Sequence, residues 1–295
     1  MQQDEEFTNT SNYLFKSLII YRITVSSTNV EIFVHPTCST CHTLIRLLKQ
    51  WGYLDRVRIV DTSRDPYIAV ERGVRSVPSI FINGELVFAG IVDFKRLKAL
   101  LDGEYSGNRF EGDLTELEER FFKGVLDSVA TALWLFVNED CDAFLRDRDF
   151  VMAITNLSVF SNRDETYEML RKYLSNVDAC RDAITRREER FLAVITRNFA
   201  REIYWLHNRF VSWGEVSKLY SKEVIAHWMI IRSALGRVGL RVYPISNERF
   251  REKVDKVYNY MSRVFDEHMS QVVKEQSEIF SDSEYVEIFD KLIKA

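Results

Sequence analysis

The residues that break regular structure are crowded into the front of the chain. Pro36, Pro66 and Pro78, with Gly52, Gly73, Gly84, Gly90, Gly103, Gly107 and Gly112, all precede residue 113. From Asp113 to Ala295 the sole proline is Pro244, and the glycines are Gly124, Gly214, Gly236 and Gly239. Proline removes a backbone donor, and glycine weakens a helix by about 1 kcal/mol relative to alanine, so a stretch nearly free of both favours helices. Two architectures are expected in one chain: an α/β unit cut by turns, then an all-α unit.

Apolar spacing in the second region is helical. Leu117, Phe121, Leu126, Val129 and Leu133 read as one helix. Cys180, Ile184, Phe191, Ile195, Phe199 and Leu206 read as a second, long one. Phe250, Val254, Val257, Met261, Val264 and Val272 give a third with a near-heptad stripe. A domain of roughly six to eight helices is expected over residues 113–295.

The first region reads differently. Val30-Glu31-Ile32-Phe33-Val34 is a short apolar strand that runs into His35-Pro36-Thr37. Leu44, Ile45, Leu48 and Trp51 follow at helical spacing. Val57, Ile59 and Val60 mark a second strand, Pro66–Arg72 a short helix closed by Gly73, and Ser79–Ile82 a third strand. Asn83-Gly84 is a strong hairpin signal with Glu85-Leu86-Val87-Phe88 as the partner strand. Phe94, Leu97, Leu100 and Leu101 give a last helix. The order is β-α-β-α-β-β-α. Residues 1–28 are set apart as a polar tail with an extra element, since 13–25 fit a helix or a strand equally. Residues 29–103 form the α/β domain, and the polar stretch 104–112 is its linker to the helices.

Composition narrows function by exclusion. A net charge of −4 offers no electrostatic case for nucleic acid or an anionic membrane as the main partner. The longest apolar stretches, Ala130–Val137 and Val224–Ile231, fall short of the ~20 residues that span a bilayer. The acidic start, Met1-Gln2-Gln3-Asp4-Glu5-Glu6, is unlike a secretory signal, so a cytoplasmic location is expected.

The chemistry concentrates at Cys38-Ser39-Thr40-Cys41, where strand gives way to helix. Two intervening residues seat both thiols on the first helical turn, whose free N–H groups and dipole favour the thiolate of the first. Cys38 is the expected nucleophile and Cys41 the buried resolving thiol. His35, Ser39 and Thr40 are candidate modulators, His35 either as a cation beside the thiolate or as an ordinary loop residue. A CxxC can also be half of a zinc site, but no second Cys or Cys-His pair stands at suitable spacing, so no metal is assigned. His42 is expected on the helix surface and His227 hydrogen-bonded in the core. Cys141 and Cys180 are expected as small buried hydrophobes rather than as an electron relay.

A second motif gives the pair a context. Gly73-Val74-Arg75-Ser76-Val77-Pro78-Ser79 resembles the segment that carries the cis-proline of thioredoxins and glutaredoxins. Ile80-Phe81-Ile82-Asn83-Gly84-Glu85 is similar to their hairpin. The resemblance spans a quarter of the chain. It implies a thioredoxin fold, a redox role for Cys38 and Cys41, and a cis bond at Pro78 facing them. It also implies that the backbone at Val77 pairs with an extended substrate. Thr37 stands where thioredoxins carry a tryptophan, and it joins Val77 and Pro78 in the implied substrate-contacting set. Ile32 stands where they keep a buried aspartate, which leaves Glu31 and Asp61 as the carboxylates nearby. Ala89-Gly90, with Asp93 after it, replaces the Gly-Gly turn of glutaredoxins.

The expected function is that of a thiol–disulfide oxidoreductase acting on protein disulfides. Its electrons would come from a reductase or a small thiol, with no bound organic cofactor. The helical domain would select the partner or join copies into an oligomer. Two other readings stay open. A thioredoxin-like domain ahead of an all-α domain is also the plan of glutathione transferases, which would make glutathione a co-substrate. Here Gly90-Ile91-Val92-Asp93 replaces their Glu/Gln-Ser pair. The third reading is a redox-sensing or scaffold module without catalysis.

Overall fold

The computed structural model describes residues 29–104, 107–236 and 241–294, so the element expected within 13–25 lies outside it. The sheet has the order β2-β1-β3-β4. Its strands are β1 (Val30–Val34), β2 (Arg58–Asp61), β3 (Ser79–Ile82) and β4 (Glu85–Ala89). β1 runs parallel to β2 and antiparallel to β3, and Ile32 faces Ile59 on one side and Ile80 on the other. All five residues of β1 are buried, as a central strand covered on both faces requires. Asn83 and Gly84 have φ of 53° and 85°, the positive values that a tight hairpin turn needs.

Three helices belong to this unit: α1 (Ser39–Gln50), α2 (Pro66–Glu71) and α3 (Phe94–Leu101). Even-numbered Ile32 and Val34 join Leu44, Leu48 and Leu97 in the main core, while Phe33 turns the other way onto Val60, Ala69 and Phe81. The mixed sheet and its helices form a thioredoxin-like domain, and the remainder is helical, as expected.

The helical part is cut more finely than its periodicity suggests. Among the described residues it holds α4 (Leu114–Asp127), α5 (Val129–Asn138), α6 (Cys141–Leu145), α7 (Arg148–Ile154) and α8 (Arg163–Leu174). It continues with α9 (Val177–Thr185), α10 (Glu188–His207), α11 (Trp213–Leu219) and α12 (Lys222–Gly236). It ends with α13 (Glu248–Ser281) and α14 (Ser283–Lys294). The apolar period through Leu117–Leu133 is interrupted at Ser128, where the chain bends by 114°. Thr131 Oγ1 donates to the carbonyls of Val125 and Ser128 at 2.7 and 2.9 Å, which satisfies acceptors that the bend releases. Gly124 permits the close approach of α7, because a Cβ there would lie 2.5 Å from Ile154 O. The second long period breaks at Arg186-Arg187. There Arg187 caps α9 through Ala183 O at 3.1 Å and ties it to Glu118 at 2.6 Å.

Residues 107–112, between the two architectures, are anchored at Phe110. Phe110 is buried, and Asn162 accepts from its N–H at 2.7 Å and donates to its C=O at 3.1 Å. α7 packs on β4 and α13 lies along α10. One apolar cluster runs from Val30 and Leu48 through Phe136 and Phe191 to Met261 and Phe289. No single helix among the described residues is long and apolar enough to cross a membrane.

Cys141 and Cys180 depart from expectation. They form a disulfide with a Cα–Cα separation of 5.9 Å, instead of lying apart as small hydrophobes. α8 reverses the chain and brings the start of α6 beside α9, a pairing of residues 39 apart that helical spacing does not reveal.

Candidate active site

Cys38 is the N-cap of α1. Its φ and ψ of −89° and 121° are extended, and Sγ accepts from Cys41 N at 3.3 Å. No acidic residue occupies the first turn, so nothing on α1 opposes a thiolate at this helix end. Both thiols are free, Cys38 half-buried and Cys41 fully buried. The Cys38 thiol is drawn below its ordinary pKa, chiefly by the hydrogen bond from the Cys41 side chain, against the effect of burial. Cys41 is pushed well above its ordinary value, first by burial and then by the same bond to Cys38. Two chemically identical side chains are thus separated into a reactive thiol and a proton-holding one.

The Val77–Pro78 bond is cis, and Val77 O lies 3.6 Å from Cys38 Sγ. Gly90 N donates to Pro78 O at 2.8 Å, and Ser79 Oγ to Ser76 O at 2.7 Å, so the loop facing Cys38 is braced from both ends. Thr37 lies between this loop and the helices. Its backbone O accepts from Gln276 Nε2 at 3.0 Å, and its Oγ1 is 2.8 Å from His35 Nδ1.

The carboxylates suggested by sequence are engaged elsewhere. Glu31 is held by Arg58 and Arg72, each at 2.6 Å, and Asp61 accepts from Ser63 N and Oγ at 2.9 and 2.7 Å. The carboxylate whose charge reaches both Cys38 and Cys41 is Asp127, the last residue of α4. It packs over Gly90, where a Cβ would collide with it and sit 2.7 Å from Ser76 Oγ. Burial pushes its pKa up to about 6, while Arg201, Lys123 and a bond from Ser76 pull it down. The bend after Asp127 delivers this side chain, and no local sequence signal marks it.

Of the histidines His35, His42 and His227, the last two differ from expectation. Burial lowers the pKa of His35, with Asp61 opposing, and its ring stacks on Trp205 at 5.7 Å, as a loop residue packed against α10. His42 donates to Asp282 at 2.8 Å and meets the Tyr285 ring edge-on at 4.6 Å, which makes it a joint between α1 and the last two helices. His227 is exposed and bonded to Glu223 O of its own helix at 2.8 Å, not placed in the core.

Helices from the far end of the chain close over the site. Tyr285 OH donates to Pro36 O at 3.0 Å, and burial raises its pKa. A cavity of about 560 Å³ remains, with Cys38, Ser39 and Thr40 on one side and Asp127, Arg197 and Arg201 among its other walls. Among the described residues no three His, Cys, Asp or Glu side chains converge as a metal site.

The family model for the thioredoxin domain matches residues 28–102. A probable thioredoxin of Methanothermobacter thermautotrophicus is 32% identical over 80 residues, which are 26% of this chain and 94% of that protein. The chain belongs to the thioredoxin family. No solved structure matches it. The thioredoxin model stops before α4, so Asp127, Arg197, Arg201, Trp205, Gln276 and Tyr285 all approach the thioredoxin motif from outside it. Family membership makes thiol–disulfide oxidoreduction the chemistry at issue.

Proposed function

We propose that the protein exchanges electrons with disulfides through Cys38 as the attacking thiol and Cys41 as the resolving thiol. The observation that carries this reading is the division between the two groups. Cys38 borders the cavity with an N–H at its sulfur, and Cys41 is sealed from solvent. In the reducing direction the Cys38 thiolate attacks one sulfur of a bound disulfide, and the first substrate thiolate leaves and takes up a proton. Cys41 then loses its proton and attacks Cys38 Sγ. The second substrate thiol leaves, and the Cys38–Cys41 disulfide remains, two electrons poorer. A reductase or a small thiol restores the dithiol.

Asp127 supplies the proton acceptor for the second step in this scheme. A buried carboxylate with pKa of about 6 holds a proton weakly enough to exchange it near neutral pH. Val77, Pro78 and Thr37 would line the substrate's approach.

The deciding experiment equilibrates the protein with defined thiol buffers and traps the free thiols for mass analysis. A potential between about −270 and −200 mV is expected for a cytosolic-type reductant, whereas about −120 mV would mean an oxidant. C38S should abolish exchange, and C41S should accumulate a mixed disulfide on Cys38. If no Cys38–Cys41 disulfide forms at any poise, the reading fails.

A further inference from the structure

We infer that Gln276 of α13 is a positioning residue for Cys38: it closes a ring of contacts through Trp205, His35 and Thr37 that fixes the backbone from which the attacking thiol projects. The inference rests on the thiol exchange proposed above and adds a residue that tunes it from the helical part.

Gln276 is fully buried, and a buried amide needs partners at both of its ends. Its Nε2 donates to Thr37 O at 3.0 Å, and its Oε1 accepts from Trp205 Nε1 at 3.4 Å. The Trp205 ring is stacked on that of His35, with centroids 5.7 Å apart and planes inclined by 16°. His35 Nδ1 lies 2.8 Å from Thr37 Oγ1, which returns the contacts to the residue where they began. Two members of this ring come from the loop between β1 and α1, and two from α10 and α13.

The ring ends one residue before Cys38. Thr37 O and Cys38 N belong to one planar peptide unit. Gln276 holds its oxygen, and its N–H donates to His35 O at 3.1 Å, so the plane is pinned at both polar atoms. A pinned plane sets the φ of Cys38, whose extended conformation lets Sγ accept from Cys41 N. α13 also grips the far side of the cysteine. The Ser39 side chain bonds to Glu275, the neighbour of Gln276, and Glu275 is itself held by Arg197 at 2.6 Å and Arg201 at 3.1 Å.

Without the Gln276 amide the peptide plane is free to turn, and the bond from Cys41 N to Cys38 Sγ weakens. The thiolate loses stabilisation, so Cys38 titrates higher and the disulfide is favoured over the dithiol. The test compares the wild type with Q276M and W205F as full chains. Q276M keeps the bulk of the side chain and removes both bonds. W205F keeps an aromatic ring on His35 and removes only the indole N–H, at a residue that is 41% exposed and so tolerant of the change. Asp127, whose charge also reaches Cys38, is the same in all three. One readout is the potential of the Cys38–Cys41 pair in defined thiol buffers. The other is the pH midpoint of Cys38 alkylation by iodoacetamide, whose plateau at high pH separately reports access. Q276M should raise the midpoint by about one unit and shift the exchange constant about tenfold toward the disulfide, about 30 mV more negative. W205F should move both in the same direction by less, and it decides alone if Q276M does not fold. Unchanged potential and midpoint in the folded variants, even with a lower urea midpoint, would make Gln276 a packing residue and overturn the inference while leaving thiol exchange standing. If the wild type forms no Cys38–Cys41 disulfide at any poise, the exchange reading fails, and the alkylation midpoints still decide whether Gln276 positions Cys38.

Discussion

Asp127 carries the most information for a single residue, because its two effects point in opposite directions. Raising a carboxyl from about 4 to about 6 means that the folded protein bears a cost of roughly 3 kcal/mol once the group is ionised. The cost is absent below pH 4, grows as pH rises to 6, and is complete above it, the reverse of an ion-paired aspartate. D127N keeps the size of the side chain and removes the charge. Its stability gain over the wild type should therefore be near zero at pH 4 and rise to about 3 kcal/mol at pH 8 in urea unfolding. Turnover at pH 7 should fall even so, with the loss in the step that consumes the Cys41 proton. A D127N protein that is both less stable and fully active would make Asp127 a packing residue. This position was illegible in the sequence for a physical reason. The aspartate stands beyond the thioredoxin resemblance, inside an unbroken apolar period, and only the bend at Ser128 turns it toward the thiols. Cys38 and Cys41 fall at the start of α1 as their spacing implies, and the cis bond at Pro78 is the one that the resemblance implies.

The helices divide by what ends them. α13 was readable as one rod, since its stripe from Phe250 to Val272 runs without interruption and Asn247 caps it, its Oδ1 accepting from Phe250 N at 3.1 Å. The breaks at Ser128 and at Arg186-Arg187 come instead from tertiary partners, Ile154 behind Gly124 and Glu118 beneath Arg187. The contact of α14 with the CxxC loop is equally non-local, since Tyr285 and Pro36 are 249 positions apart. Y285F leaves Pro36 O without its donor, and a loss of about 1–3 kcal/mol is expected. Iodoacetamide should then modify Cys38 faster than in the wild type, as the cover over the loop loosens. Unchanged stability and unchanged alkylation together would show that α14 merely rests there. The Cys141–Cys180 bond ties α6 to α9 across 39 residues, and loop entropy assigns it about 4 kcal/mol. C141A/C180A should lower the urea midpoint of the oxidised protein toward that of the wild type in reductant.

At the scale of the whole molecule, two architectures were legible but their union was not. Pattern reading sees a strand-and-turn unit followed by helices, and it expects a linker between two cores. The structure joins them. α7 covers β4, Phe110 is fixed by Asn162, and a single apolar cluster includes residues of both parts. Burial shared in this way makes the α/β unit depend on the helices for much of its apolar cover, which couples their unfolding. Two probes separate the parts. Far-UV ellipticity is dominated by the helical region, while alkylation of the buried Cys41 reports the α/β unit. Both should follow one urea transition with one midpoint, and residues 29–103 expressed alone should not reach a stable fold. Exposure of Cys41 at a lower urea concentration than the loss of ellipticity would instead establish a thioredoxin unit that unfolds independently, with the helices as a separable cover over its active site.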